Sequence, residues 1–170
     1  MAEEKGLEQN QNEKPMSMMT MVVWTGLFGG VFWSSLAYVA YVFSFTEISP
    51  RIILEPWAIG DWKDGWLGTV ISIILIGVVS IVAALIYYSA LKKFEKMWVG
   101  ILFGAVLFLL VFFVLNPLFP GMKTFTELER NTIITCACFY ILYGTFIGYS
   151  ISYEYNEFLQ RKKTNKEVVY

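Results

Sequence analysis

The chain has 170 residues, 56% of them hydrophobic and only 16% charged, against about 45–50% apolar and about 25% charged in an ordinary soluble domain. A soluble core of this size buries only about 70% of what the unfolded chain exposes, so it could not hide this much apolar surface. The net charge of −1 with no extended basic patch gives nucleic acid no footprint, and the absence of histidine removes the commonest metal ligand and general base.

Residues 1–15 are rich in Glu, Gln and Asn and read as a disordered tail. Four uncharged stretches follow: Pro15 to Thr46, 32 positions; Gly65 to Leu91, 27; Met97 to Met122, 26; Asn131 to Tyr153, 23. Each suffices for one crossing of a hydrocarbon core, which takes about 20 apolar residues, and none for two. Helix is the state that leaves no backbone group unpaired in lipid. The expected architecture is an all-α, four-transmembrane-helix bundle over residues 16–155, with spans at about 17–45, 66–91, 97–115 and 127–155 and a tail at 156–170.

Punctuation supports these bounds. Ser49-Pro50 follows the first span, and Asn116-Pro117 and Pro120-Gly121 end the third. Thr126 and Glu129 fit a capping box for the fourth helix, which continues past the bilayer because Glu157 and Arg161 are spaced for an ion pair. Tyr87, Tyr88, Trp66, Trp98, Tyr149, Tyr153 and Tyr155 fall near span ends, where aromatic rings favour the headgroup region. The first span is too long, and its preceding tail too acidic, for a cleaved signal peptide. Lys and Arg number nine on the tails and the loop 92–96 against four on the other two loops, which places both termini in the cytoplasm.

Three groups of residues are candidates for function. The loop Thr46–Gly65 carries Glu47, Glu55, Asp61 and Asp64 with Trp57 and Trp62. Acids beside aromatics suit a cation, yet Ile52–Leu54 and Trp57–Ile59 read equally as a segment lying in the interface. Its spacing matches no calcium loop. A transport pathway is the second candidate, and the four uncharged stretches hold no Asp, Glu, Lys, Arg or His to build a relay. The span hydroxyls, Thr25, Ser34, Ser35, Ser72, Ser80, Thr135 and Thr145, can be satisfied on their own helices. The third is a set of small-residue stripes: Gly26, Gly30 and Ser34; Ser80 and Ala84; Gly100 and Gly104; Gly144, Gly148 and Ser152. At this spacing small residues let helix backbones approach closely within lipid. Cys136 and Cys138, two apart on a helix, cannot bridge and read as small buried hydrophobes. Nucleophile–base pairs for hydrolysis are missing, and neither a metal nor a cofactor is implied.

Several strings resemble the YqhR family of small membrane proteins from Bacillus-type bacteria. They are Met16-Ser17-Met18, Gly29-Gly30-Val31-Phe32-Trp33-Ser34-Ser35, Phe45-Thr46-Glu47-Ile48-Ser49-Pro50, Ile53-Leu54-Glu55-Pro56-Trp57-Ala58, Trp66-Leu67-Gly68-Thr69-Val70 and Val114-Leu115-Asn116-Pro117. The resemblance covers nearly the whole chain and implies a multi-pass plasma-membrane protein of a Gram-positive bacterium. It carries over no activity and no catalytic residue. The expected function is a non-enzymatic scaffold or accessory subunit in an envelope process, with lipid, other membrane proteins or a second copy as partners. A small oligomeric transporter or channel is the alternative, although Trp24, Phe28 and Val31 interrupt the most polar face of the first span.

Overall fold

A computed structural model of the chain describes residues 17–56, 60–94, 96–119 and 121–167. The tail 1–15 and Trp57 lie outside them. The described residues form four long helices and no strand: α1 Met18–Val42, α2 Trp66–Leu91, α3 Met97–Leu109 and α4 Arg130–Glu167. Short helical turns at Pro50–Leu54 and Asp61–Asp64 interrupt the loop between α1 and α2. Four segments are long and apolar enough to cross a membrane: Met18–Val42, Trp66–Leu91, Met97–Leu118 and Arg130–Arg161. Two long loops, 43–65 and 116–129, share one end of the bundle; the loop 92–96 and the described chain ends lie at the other.

Local chemistry sets where each helix stops. At the end of α1, Ser44 takes a left-handed conformation, φ 60°, so that its N–H reaches Tyr41 O at 3.0 Å and the Phe45 N–H reaches Ala40 O at 2.9 Å. These two bonds cap carbonyls that the helix leaves unpaired. Beyond α3 the chain winds into a wide turn at Leu110–Leu115 and a tight one at Asn116–Leu118. Pro117 cannot donate to the ladder and its ring crowds the carbonyl four residues back, so the regular α pitch ends there.

The start of the fourth helix corrects the sequence reading. The helix begins at Arg130 rather than near 127. Thr126 and Glu129 form no capping box; instead the Glu127 carboxylate accepts from the Thr124 N–H at 3.2 Å and the Glu127 N–H donates to Thr124 O at 2.8 Å. Thr124-Phe125-Thr126-Glu127 has the same residue pattern two positions earlier. That frame places Phe125 against Phe112 and Phe113, with centroids at 6.2 and 5.2 Å, and buries Leu128. At the far end Arg161 pairs with Glu157.

The helices pack as two tight antiparallel pairs, α1 with α2 and α3 with α4. Contacts of α4 with α1, and fewer with α2, join the pairs. The core is correspondingly thin: Val22, Ala84, Tyr87, Phe103, Tyr143, Ile147 and Ile151. Most other large apolar side chains, among them Trp66 and Trp98 at 74% and 78% exposed, face outward. In water this would be an aggregation surface; in lipid it is the ordinary exterior of a membrane protein.

Candidate functional site

The interior is built on glycine. A Cβ added at Gly26 would lie 2.8 Å from the Ala84 Cβ, and one at Gly30 would lie 2.8 Å from the Gly77 Cα. A Cβ at Gly77 would in turn meet Val31 at 2.8 Å. Across the other pair, a Cβ at Gly104 would meet the Ile141 Cα at 2.8 Å, one at Gly144 the Gly100 carbonyl oxygen at 2.6 Å, and one at Gly148 the Gly100 Cα at 2.8 Å. These separations are shorter than carbon and oxygen pack, so hydrogen is the only side chain that leaves the backbones where they are.

Gly29 and Gly77 belong to the same system and were not in the sequence-derived stripes. Gly29 lies one position off the Gly26, Gly30 face and meets Phe146 and Ile147 of α4. Gly77 is three residues before Ser80, the other helical repeat that keeps a residue on one face. Ser34 is buried, but its hydroxyl turns back to its own helix at Val31 O, 3.2 Å away.

Hydroxyls link the two pairs. Ser80 donates to Gly26 O on α1 at 2.6 Å and meets the Tyr143 hydroxyl of α4 at 2.5 Å. Ser152 donates to Phe94 O at 3.0 Å and lies 3.3 Å from the Tyr87 hydroxyl. Two expectations change here. Ser80, like Thr135, whose hydroxyl reaches Phe45 O at 3.2 Å, is satisfied by another segment rather than its own helix. Tyr87 is 1% exposed and belongs to the core, not the headgroup region. Its neighbour Tyr88 is half-buried at the edge of that core, with Tyr155 and the Lys92 ammonium packed on its ring at 6.4 and 4.2 Å. Adjacent helical residues point about 100° apart, so only one of the two is fully enclosed.

The loop end is a clasp. The Glu47 N–H donates to Thr132 Oγ1 at 3.0 Å and Thr46 Oγ1 lies 3.7 Å from Cys136 Sγ, tying the exit of α1 onto the first turns of α4. Glu47 pairs with Lys123 at 3.0 Å, and Glu55 places its carboxylate on Gly121. Thus both acids reach across to the second long loop. Ile52, Ile53 and Leu54 do not simply lie in the interface: Pro50 and Leu54 are buried, the turn packs on α2, and the Arg51 guanidinium donates to Thr69 at 2.9 Å. Asp61 and Asp64 sit in the turn before α2, and Trp62 between them is exposed. Among the described residues no three His, Cys, Asp or Glu side chains come together as a metal site.

Of the two cysteines, Cys136 is half-buried and Cys138 exposed, so the reading of both as buried holds for neither in full. Only one of two nearly opposite faces can meet the bundle. Both thiols are free.

The family model for the conserved membrane protein YqhR matches residues 2–166 of this chain. A protein of Bacillus subtilis (strain 168) named "Uncharacterized protein YqhR" is 58% identical over 167 residues, which cover 95% of this chain and 94% of that protein. No solved structure matches. The chain belongs to the YqhR family of conserved membrane proteins.

Proposed function

We propose that this YqhR-family protein is a non-enzymatic scaffold or accessory subunit of the bacterial plasma membrane, with both termini in the cytoplasm. The observation that carries the reading is how the interior polar groups are occupied. Ser80, Tyr143, Tyr87 and Ser152 bond to one another or to backbone carbonyls of neighbouring segments. Groups engaged in holding helices together are not free to pass an ion or a proton along. The glycine contacts leave no width between the paired helices, while a broad aromatic exterior stays available to lipid and to other membrane proteins.

Orientation rests on the nine-to-four bias of Lys and Arg. A cysteine placed at Asn12 is expected to be shielded from an impermeant thiol reagent in intact cells and one at Lys63 to be labelled; the reverse pattern contradicts the assignment. Function is tested by affinity purification in mild detergent alongside reconstitution into liposomes. A membrane protein co-purifying in stoichiometric amount, with liposomes that hold ion gradients as well as lipid alone, is the expected result. Flux that scales with the reconstituted protein would instead establish a transporter or channel.

A further inference from the structure

An open groove of about 390 Å³ runs along the junction of α1 and α4, near the end of the bundle where the described residues begin and end. Its lining changes character along its length because the two helices are antiparallel. At the deep end Phe28 faces Phe146, ring centroids 6.4 Å apart. One turn nearer the chain ends come Trp24 and Tyr149; at the mouth stand Tyr153, stacked on Tyr149 at 5.9 Å, and Glu154. Trp24, Phe28, Tyr149 and Tyr153 are all exposed, so the rings border the groove without filling it.

Glu154 is the one carboxylate in that lining, which holds no Lys or Arg. It is half-buried and makes no hydrogen bond or ion pair with a described residue, whereas Glu157, one turn on, is held by Arg161. A carboxylate beside the faces of Tyr and Trp attracts an ammonium, through its charge and through the negative ring faces. It repels a phosphate that lacks one. The apolar floor beyond fits a hydrocarbon chain running toward the bilayer centre.

We propose that this groove seats a glycerophospholipid with a primary ammonium headgroup, its ammonium on Glu154 and Tyr153 and one acyl chain along Phe28 and Phe146. The site does not depend on the scaffold reading; a transporter of the same fold would hold the lipid equally.

The test uses the full chain, delipidated in mild detergent and offered dioleoyl phosphatidylethanolamine and dioleoyl phosphatidylglycerol in equal amounts, with bound lipid read by native mass spectrometry. The ethanolamine lipid is retained over the glycerol lipid by about fivefold, the worth of a partly exposed cation–aromatic contact. Glu154→Gln brings the ratio to about one while melting with the wild type, since it removes a charge from a group already partly in solvent. A second measurement leaves Glu154 untouched. Quenching of Trp24, taken as the difference between the wild type and Trp24→Phe, is stronger with brominated ethanolamine lipid than with brominated glycerol lipid. A wild-type ratio of one, a preference that survives Glu154→Gln, or equal quenching by the two lipids overturns the proposal. So does a disulfide dimer formed by Trp24→Cys (with Cys136→Ser and Cys138→Ser) in native membranes, which would make the occupant a second copy of the chain.

Discussion

The two helix pairs are built on the same residue type but close in different ways. Between α3 and α4 glycine meets backbone from both sides: Gly100 and Gly104 against Gly144, Gly148 and the Ile141 Cα. No side-chain hydrogen bond crosses this contact among the described residues. Between α1 and α2 glycine meets small side chains first and backbone behind them, Gly26 against the Ala84 Cβ and then the Ile81 Cα, Gly30 against the Ser80 Cβ and then the Gly77 Cα, and the Ser80 hydroxyl bonds directly to Gly26 O. Lipid tails are as apolar as leucine, so neither pair gains from a hydrophobic drive. The α3–α4 contact depends on shape and dispersion alone. The α1–α2 contact adds a directional bond that specifies register and reaches a third helix through Tyr143.

The contrast can be broken most forcefully at Gly104. Leucine there has backbone on the facing side and no small side chain to displace, so the cost is expected at or above about 3 kcal/mol, the upper end for overpacking. Thermal unfolding in detergent reads it, with loss of the monodisperse species as the extreme outcome. Gly148→Leu is milder, about 1–3 kcal/mol, because one of its close neighbours is the Tyr87 hydroxyl, 3.1 Å from an added Cβ. Thr145 is a poor control, since its Cα lies 3.0 Å from a Cβ added at Gly100. Cys138→Leu, on the exposed face, is the proper one and is expected within about 0.5 kcal/mol of wild type.

Smaller effects sharpen the other side of the comparison. A double-mutant cycle with Ser80→Ala and Tyr143→Phe should give a coupling of about 0.6–1.7 kcal/mol, the range for hydroxyl bonds between membrane helices. Additivity of the two would mean that the Ser80 hydroxyl does not link the pairs. Glu47→Gln should change stability by at most about 1 kcal/mol, because its partner Lys123 is 55% exposed. That change should fade as salt is raised, which melting curves at two ionic strengths would show.

Where the helices lie was legible in the sequence because a charge in hydrocarbon is costly, so uncharged stretches mark the spans. A period of four assigned Gly26 and Gly30, or Gly144 and Gly148, to one face, but a face has no address. Nothing in the spacing says that Gly29 turns to Phe146 while Gly30 turns to Ser80. Tyr87 and Tyr88 show the same limit: composition places both near a span end, and only packing decides which enters the core. At the fourth helix two overlapping cap patterns competed, and the burial of Leu128 and the seating of Phe125 favoured the earlier one. The loop clasp was least legible. Glu47 and Thr132 are 85 positions apart, Thr46 and Cys136 are 90, and no spacing in the chain pairs them.

One matched experiment bears most directly on the claim that the two pairs close differently. Gly26→Ala and Gly104→Ala are melted in the same detergent, each alone, and the first also with Ala84→Gly. Gly104→Ala is expected to lose more stability than Gly26→Ala, because its added methyl meets only backbone, Tyr140 O and the Ile141 Cα within 2.8 Å, whereas at Gly26 the tightest neighbour is the Ala84 Cβ and backbone comes no nearer than 3.0 Å. Adding Ala84→Gly should recover part of the Gly26→Ala loss, a non-additivity of about 0.5 kcal/mol or more, with the contact to the Ile81 Cα remaining. Equal losses at the two glycines, or a double variant that melts below both singles, would contradict the account.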